Sequence, residues 1–296
     1  MLQYMKPLSP GEVPRVLMLG NGINRAFESE NWDALLRTMT DGRFTDDEWK
    51  ELCGRFPYPL LAVIASDDSV GDKMREKGKE MCAHSPAEEQ KQLLSCLSDA
   101  GINAILTTNY TYEAEQSLIQ DFKCVPGRKL KYRYVTCAEK PKAESDALYT
   151  YNCTEGLTIP PIWHIHGEAG RPDSMIIGHY YYGKLLSRIQ SYVAETVKRY
   201  NIAERAGNEF YPRSWVDYFL FGDVTIVGLG MDLSEMDLWW LFNCKKRNGR
   251  GKLTYLEPCI SKEKQLLAEI YGADVKSEPL PAGGYREYFT KTIKSL

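Results

Sequence analysis

The sequence predicts an α/β fold of the Rossmann-like class, in which a parallel sheet is flanked by helices. Three observations predict it: short apolar runs without polar alternation, stretches of helical spacing between those runs, and a polar or glycine-containing turn after each run. Strands that helices cover on both faces have this continuous apolar character. A chain of 296 residues, 43% of them hydrophobic, also supplies enough apolar side chain for a sizeable core.

Five apolar runs are predicted to be the core strands. In chain order they cover residues 16–19, 102–106, 162–165, 223–227 and 253–256. Two further runs, at 131–137 and 147–153, alternate apolar and polar residues, and this pattern predicts additional strands.

The segments between the runs predict helices, the first from about residue 24 and a later one over about 234–244. Two longer segments, about 45–100 and about 180–221, have helical spacing and are predicted to be insertions that form a small second lobe. The chain has neither an internal repeat nor a low-complexity stretch. A single domain over residues 1–296 is therefore expected.

Composition and charge exclude several classes of protein. The chain has 37 basic and 40 acidic residues and a formal charge of −3, whereas proteins that coat nucleic acid or a membrane surface carry excess positive charge. The start of the chain lacks the pattern of a secretion signal, and no run reaches the roughly 18 apolar residues of a membrane span. We therefore expect a cytoplasmic protein that contacts neither nucleic acid nor membrane directly.

The eight cysteines are not arranged as a metal module or a disulfide framework. No two of them have the C-x-x-C spacing of a zinc site. An even number of cysteines is weak evidence for disulfides in a chain of this length without a secretion signal. Reduced thiols are the expectation.

The turns after the runs form the candidate site, because open α/β sheets bind ligands at the carboxyl ends of their strands. Two glycines in the first turn match the start of the dinucleotide-binding pattern G-x-G-x-x-G, but Arg25 stands in place of the third. The usual acidic residue about 20 positions later is not evident, which disfavours a standard dehydrogenase. An ordinary strand-to-helix turn explains the pattern equally well. The candidate binding residues of this turn are Gly20, Asn21, Gly22 and Asn24.

The next two turns supply the candidate catalytic groups. Asn109 follows Thr108 after the second run, and its amide can donate to a ribose hydroxyl while it accepts from a water; the alternative is a turn-forming asparagine. His166 follows the third run and precedes a glycine, which suits a proton acceptor near neutral pH. His164, one strand repeat deeper, is predicted to be a hydrogen-bonded core residue. The H-x-H pair has only two other histidines to recruit, so no metal site is predicted.

The last two turns are candidates for binding an anionic group and a ribose of a nucleotide. Gly228 and Gly230 follow the fourth run, where a glycine turn exposes backbone N–H groups to an anion. Asp232 comes next. Instead of contacting a ligand, Asp232 or Ser234 could cap the following helix. Glu235 or Asp237, three residues later, would then complete a capping box. Glu257 follows the fifth run, where an acidic residue can accept hydrogen bonds from a ribose diol; the alternative is a surface carboxylate.

The order of these motifs along the chain resembles the sirtuin-like domain of bacterial anti-phage, NAD-depleting proteins, which lack the zinc ribbon of the deacetylase sirtuins. The resemblance covers about residues 16–257, and its T-N-Y, H-G and G-L-G-x-D-x-x-x-x-D-x-W-W motifs are specific in combination. The segments that carry it are GNGINRAF, ILTTNYT, IWHIHGE, IIGHYYYGKLL and VTIVGLGMDLSEMDLWWLF.

The resemblance implies NAD as the substrate and a role for each candidate residue. Asn109 would orient the nicotinamide ribose or the attacking water, and His166 would be the catalytic base. The implied ligands of the NAD phosphate and ribose are Gly20, Gly22 and Asn24. Those on the adenosine side are Gly228, Gly230, Asp232 and Glu257.

The implied activity is hydrolysis of NAD+ to nicotinamide and ADP-ribose, without a metal, in anti-phage defence by NAD depletion. The chain departs from the family in three ways: Thr111 stands where an aspartate is common, GNGINRAF replaces the sirtuin G-A-G start with its following D-F-R, and the paired C-x-x-C motifs are missing. NAD-dependent protein deacylation and a non-catalytic sensor of NAD or ADP-ribose stay open as alternatives. We expect activation by homo-oligomerisation or by a separately encoded protein.

Overall fold

A six-stranded parallel sheet forms the centre of the computed structural model, which describes residues 6–27, 32–67, 69–122, 124, 148, 152 and 159–296. The strand order is β3-β2-β1-β4-β5-β6, and every neighbouring pair is parallel. This is the strand order of the Rossmann fold, so the predicted class is confirmed. The strands are β1 (Arg15–Leu19), β2 (Ala104–Thr107), β3 (Ile162–His164), β4 (Asp223–Val227), β5 (Leu253–Leu256) and β6 (Asp274–Lys276).

Helices connect the strands and cover the sheet. Among the described helices, none combines the length and the apolar character that a bilayer span requires. In chain order they are α1 (Gly22–Ala26), α2 (Trp32–Thr38), α3 (Asp46–Arg55), α4 (Tyr58–Ser66), α5 (Val70–Ala83), α6 (Glu88–Ser95), α7 (Glu113–Leu118), α8 (His179–Arg205), α9 (Trp215–Phe221), α10 (Met236–Asn248), α11 (Lys262–Ile270) and α12 (Gly284–Lys294).

The sheet separates two apolar cores. Alternation along β1 sends Val16 and Met18 to one face and Leu17 and Leu19 to the other, and all four side chains are buried. Side chains of α8, α9 and α10 cover the first face. Side chains of α1, α6, α7 and α12 cover the second. The two-sided cover is why the core strands lack polar alternation in the sequence.

Helices α2 to α5, between β1 and β2, build a further core away from the sheet. Leu36, Trp49 and Leu61 are buried there together, and α3, α4 and α5 fall within the segment of about 45–100 whose spacing predicts helices. The second predicted insertion packs differently. Ile189 of α8 and Phe219 of α9 are buried in the core that covers the sheet, so these helices form one of its two covering layers.

The five predicted core strands are present within two residues of their expected bounds, but β6 was not predicted. Its sequence, DVK, is short and lies half-exposed at the edge of the sheet, so it lacks an apolar run. The predicted strand at 131–137 lies outside the described residues. Of the run at 147–153, Leu148 is buried and Asn152 forms an isolated antiparallel bridge with Ile162.

A disulfide joins Cys82 of α5 to Cys124, 42 residues later in the chain. The expectation of reduced thiols is therefore wrong for this pair. The pairing follows from the packing of the helical lobe, in which both side chains lie, and sequence spacing does not reveal it. The free cysteines among the described residues are Cys53, Cys96, Cys244 and Cys259.

Two glycine turns pack directly on one another at the carboxyl ends of β1 and β4. The N–H of Gly20 donates to the Val227 carbonyl at 2.9 Å, and that of Gly22 donates to the Gly228 carbonyl at 2.7 Å. A Cβ at Gly20 would lie 2.4 Å from the Gly228 oxygen and 2.4 Å from the Leu229 Cα. Because both obstructing atoms are backbone, no side chain fits at Gly20.

Gly20→Ala is expected to lower the free energy of unfolding by at least about 2 kcal/mol, because the new methyl group pushes the two turns apart. Urea unfolding followed by circular dichroism measures the effect. Gly183→Ala is the matched control. Gly183 is exposed inside α8, where a Cβ would meet no atom within 4 Å, so this change should stabilise the protein by up to about 1 kcal/mol. A Gly20→Ala protein as stable as wild type would contradict the packing argument.

Candidate functional site

A cleft of about 450 Å³ opens where the strand order reverses between β1 and β4. Open α/β sheets bind their ligands at this position. The turns after β1, β2, β3, β4 and β5 all contribute to its walls, as the sequence predicts. The predicted site residues that line it are Asn21, Gly22, Thr108, His166, Gly228, Gly230, Asp232 and Glu257.

Three predicted residues, Gly20, Asn24 and Asn109, do not line this cleft. They border a separate small void of about 10 Å³. Asn24 was predicted to contact NAD, but its Oδ1 accepts a hydrogen bond from Gln90 Nε2 at 2.8 Å in the buried contact of α1 with α6. The Oδ1 of Asn109 is buried and has no hydrogen-bond partner among the described residues. The structure therefore places both asparagine side chains outside the cleft that contains His166.

His166 pairs with a buried aspartate. Its Nε2 lies 2.9 Å from Asp237 Oδ2, and both side chains are almost fully buried. His166 comes from the turn after β3 and Asp237 from the first turn of α10, and the edge of the Tyr182 ring packs against the imidazole. Burial by itself lowers the pKa of His166, but the charge and hydrogen bond of Asp237, together with the charge of Glu235, more than offset this and raise it above 6.5. With the Nε2 proton directed at Asp237, Nδ1 is the nitrogen that accepts a proton.

A second carboxylate, Glu235, lies beside this pair. One polar atom each of His166, Glu235 and Asp237 lies within 4.8 Å of the others. Burial raises the pKa of Glu235 to about 7, against the opposing charge of His166. Glu235 Oε2 and Asp237 Oδ1 are buried without a hydrogen-bond partner in the described part of the chain. An imidazole and two carboxylates can act as acid and base, and they could also hold a divalent metal ion.

The turn before α10 differs from the predicted capping box. Asp232 Oδ1 accepts from the backbone N–H of Ser234 at 2.9 Å and from its hydroxyl at 2.7 Å. The helix begins one residue after Glu235, whose side chain makes no capping hydrogen bond. The Asp237 carboxylate contacts His166 and does not complete a capping box. The second aspartate of the G-L-G-x-D-x-x-x-x-D motif was the available signal for this partner, and the capping interpretation missed it.

Another part of the cleft wall brings Glu257 under the influence of two cations. Burial raises the pKa of Glu257 to about 7, while the charges of Lys264 and Arg25 oppose that rise. Lys264 Nζ also donates to the Gly230 carbonyl at 2.9 Å, which ties α11 to the turn after β4. A carboxylate suits a ribose diol, and the two cations suit a diphosphate. Lys264 was not predicted, because it lies on α11, beyond the turns that the sequence motifs mark.

Helices also contribute polar side chains to the cleft at positions that the sequence did not assign to it, because these residues are distant in sequence from the strand ends. They are Asp33, Tyr58, Tyr182 and Tyr285.

His164 is a hydrogen-bonded core residue, as predicted. Its Nδ1 lies 2.5 Å from the Asn109 carbonyl oxygen, and its Nε2 lies 2.7 Å from Glu115 Oε1. Asn152 Nδ2 donates to the same Glu115 oxygen at 2.8 Å. Burial by itself lowers the pKa of His164, but the Glu115 carboxylate outweighs it and raises the pKa to about 9. A buried ion pair thus fixes the backbone at Asn109.

Comparisons with known proteins do not identify a family for this chain. No protein-family model matches it, and no curated protein is a detectable relative. The geometry of the cleft and the motifs that line it are therefore the basis for assigning a function.

His164→Gln is expected to remove a pH-dependent part of the stability. The folded pKa of about 9 lies above the ordinary 6.5, so the contribution of the imidazolium is complete below pH 6.5 and is lost as pH rises through 9. In urea unfolding, the stability difference between wild type and variant should be largest at about pH 6 and smaller at about pH 9.5.

The difference between the two proteins is the quantity to compare. Lys245, whose pKa burial lowers to about 7, titrates over the same range in both proteins and cancels in the subtraction. A stability difference that does not change with pH would show that His164 is neutral in the fold.

Proposed function

We propose that the protein hydrolyses NAD+ at the nicotinamide–ribose bond and releases nicotinamide and ADP-ribose. The observation that carries this proposal is the buried pair of His166 and Asp237 on the wall of a nucleotide-sized cleft at the switch point of a Rossmann sheet. The resemblance of the strand-end motifs to those of sirtuin-like, NAD-depleting proteins supports the same activity.

The charges along the cleft suit a dinucleotide with one cationic ring. Arg25 and Lys264 would face the diphosphate, and Glu257 would accept from the adenosine ribose. The glycine turns after β1 and β4 bring backbone close to the same region. The nicotinamide ribose would then lie toward His166, among the carboxylates of Glu235 and Asp237.

The reaction needs one nucleophile and one proton acceptor. As the bond between ribose C1′ and the nicotinamide nitrogen breaks, its electron pair stays on nitrogen, so nicotinamide leaves neutral and the ribosyl group carries the positive charge. A water oxygen then bonds to C1′, and its proton passes to His166 and from there to solvent. A general base of this kind typically contributes about 10²–10⁴-fold in rate. Asp237 would hold the imidazole in position and stabilise its protonated form.

Asn109 enters the proposal through the family resemblance, as a residue that orients the ribose or the water. Its neighbour Thr108 lines the cleft, whereas Asn109 borders the small void beside it. Contact of its side chain with substrate would require the turn after β2 to rearrange when NAD+ binds.

Depletion of NAD+ would be the consequence in the cell. On the same resemblance, we assign this activity to anti-phage defence in the cytoplasm. Its trigger would be homo-oligomerisation or a separately encoded activator protein.

Purified protein incubated with NAD+ is expected to release nicotinamide and ADP-ribose, which liquid chromatography separates and quantifies. His166→Ala should slow the release by about 10²–10⁴-fold, because the base is lost. A series of protein concentrations reveals activation by self-association as a rise in specific activity. His179→Ala is the matched control, because His179 is an exposed histidine at the start of α8.

Other outcomes of this experiment would assign another function. Acyl transfer from an acylated peptide to ADP-ribose would indicate deacylation, and tight NAD+ binding without nicotinamide release would indicate a sensor. Treatment with EDTA should leave the rate unchanged. If it abolished the activity and added Zn²⁺ or Mn²⁺ restored it, His166, Glu235 and Asp237 would be metal ligands instead.

Asp237→Asn is expected to shift the pH dependence of the reaction. A base acts in its unprotonated form, so activity falls as pH drops through the pKa of His166, which Asp237 raises. Without that carboxylate, the acidic limb of the rate profile should move to lower pH by about 1. The plateau rate should also fall at least about tenfold, because the imidazole loses its orienting partner. If the acidic limb of the rate profile stayed at the wild-type pH, the proposed role of Asp237 would be contradicted.

A further inference from the structure

We propose that Glu235 is a second catalytic residue, whose carboxylate lies against the positive charge at the nicotinamide-ribose end of the substrate. This inference rests on the proposed function and adds to it a residue that no motif assigned to the chemistry.

The position of Glu235 has no evident structural use. It lies in the turn after β4, immediately before α10, and it lines the cleft together with His166. Its side chain makes no capping hydrogen bond, although it occupies the N-cap position. Its Oε2 is buried and has no hydrogen-bond partner among the residues that the structure describes. A carboxylate left unsatisfied beside a ligand cleft is costly to the fold, so a bound partner is the physical reason to retain it.

The surroundings of Glu235 favour a cation as that partner. Burial penalises its charged form, and the neighbouring carboxylates add to the penalty. A cation that enters the cleft would stabilise the ionised carboxylate, and the interaction is stronger in a site with little water than at the surface. The titratable and charged groups that interact with Glu235 are His166, Asp237, Asp232, Lys264, Tyr110, Tyr182 and Tyr255.

The chemistry of the substrate places a cation at this end throughout the reaction. The nicotinamide ring is positively charged before the bond breaks, and the ribosyl group is positively charged as it breaks. His166 accepts the proton of the attacking water, whereas Glu235 keeps its charge and stabilises the cation. The two side chains therefore have separate roles, although their polar atoms lie within 4.8 Å.

A binding experiment tests this inference without requiring turnover. The probes are carba-NAD+, a hydrolysis-resistant analogue with a methylene group in place of the ribose ring oxygen, and ADP-ribose, which lacks the nicotinamide ring. Isothermal titration calorimetry compares wild type with Glu235→Gln at several pH values. At about pH 6, wild type and Glu235→Gln should bind carba-NAD+ with about equal affinity. At about pH 8, wild type should bind it about tenfold more tightly than the variant, because Glu235 ionises between these values. ADP-ribose should bind equally to both proteins.

Two variants and one rate measurement complete the design. Glu263→Gln makes the same chemical change at an exposed position in the first turn of α11 and should leave both affinities unchanged. Glu235→Asp keeps the charge and should keep the pH dependence of carba-NAD+ binding. In the nicotinamide assay, Glu235→Gln should lower kcat at least about tenfold.

The outcomes separate the two proposals. If Glu235→Gln binds carba-NAD+ and cleaves NAD+ like wild type, the role of Glu235 is overturned and the NAD+ hydrolase stands. If the variant loses affinity for both probes equally, Glu235 only maintains the cleft, and its role is again overturned. If wild type binds neither probe and releases no nicotinamide, the proposed function fails, and the role of Glu235 fails with it.

Discussion

The contact between the glycine turns after β1 and β4 is the constraint on which the rest of the site depends. Two backbone segments meet there without side chains between them, and Gly20 and Gly22 donate to carbonyls of the β4 turn. This contact brings the ends of the two central strands together at the point where the strand order reverses. The cleft opens at this contact, and the turns after the other strands line it on both sides of the central pair. A glycine that a sequence motif assigns to phosphate binding is thus already required by the packing of the protein itself.

One short strand and the turn after it place two histidines in different environments. Both ring nitrogens of His164 have partners, Glu115 and the Asn109 carbonyl, and the second of these contacts stabilises the turn after β2. The His166 imidazole has a buried carboxylate on one side and the cleft on the other. In both cases burial opposes the charged imidazole and a carboxylate restores it. The difference between the two histidines is therefore access to the cleft, which only His166 lines among them.

Charged side chains gather around two groups in the cleft. The charges of Arg25 and Lys264 act on Glu257, and the carboxylates of Glu235 and Asp237 lie close to His166. The proposed substrate, a dinucleotide with a diphosphate and a cationic ring, would meet groups of opposite charge at both places. If the proposed reaction takes place here, groups that are fixed before the substrate arrives would need no reorganisation during it.

The sequence by itself determined the class of fold, the core strands and the turns that line the cleft, because buried strands and their glycine-containing ends are local signals. It also separated His164 from His166 by depth, because His164 lies one strand repeat further from the end of the strand. Only the tertiary structure decided which side chains meet. Asp237 follows His166 by 71 residues, and Lys264 lies on a helix beyond the last core strand. The same holds for the bond of Cys82 with Cys124 and for the contact of Asn24 with Gln90. Such pairs are brought together by helix packing, for which no local spacing is a signal.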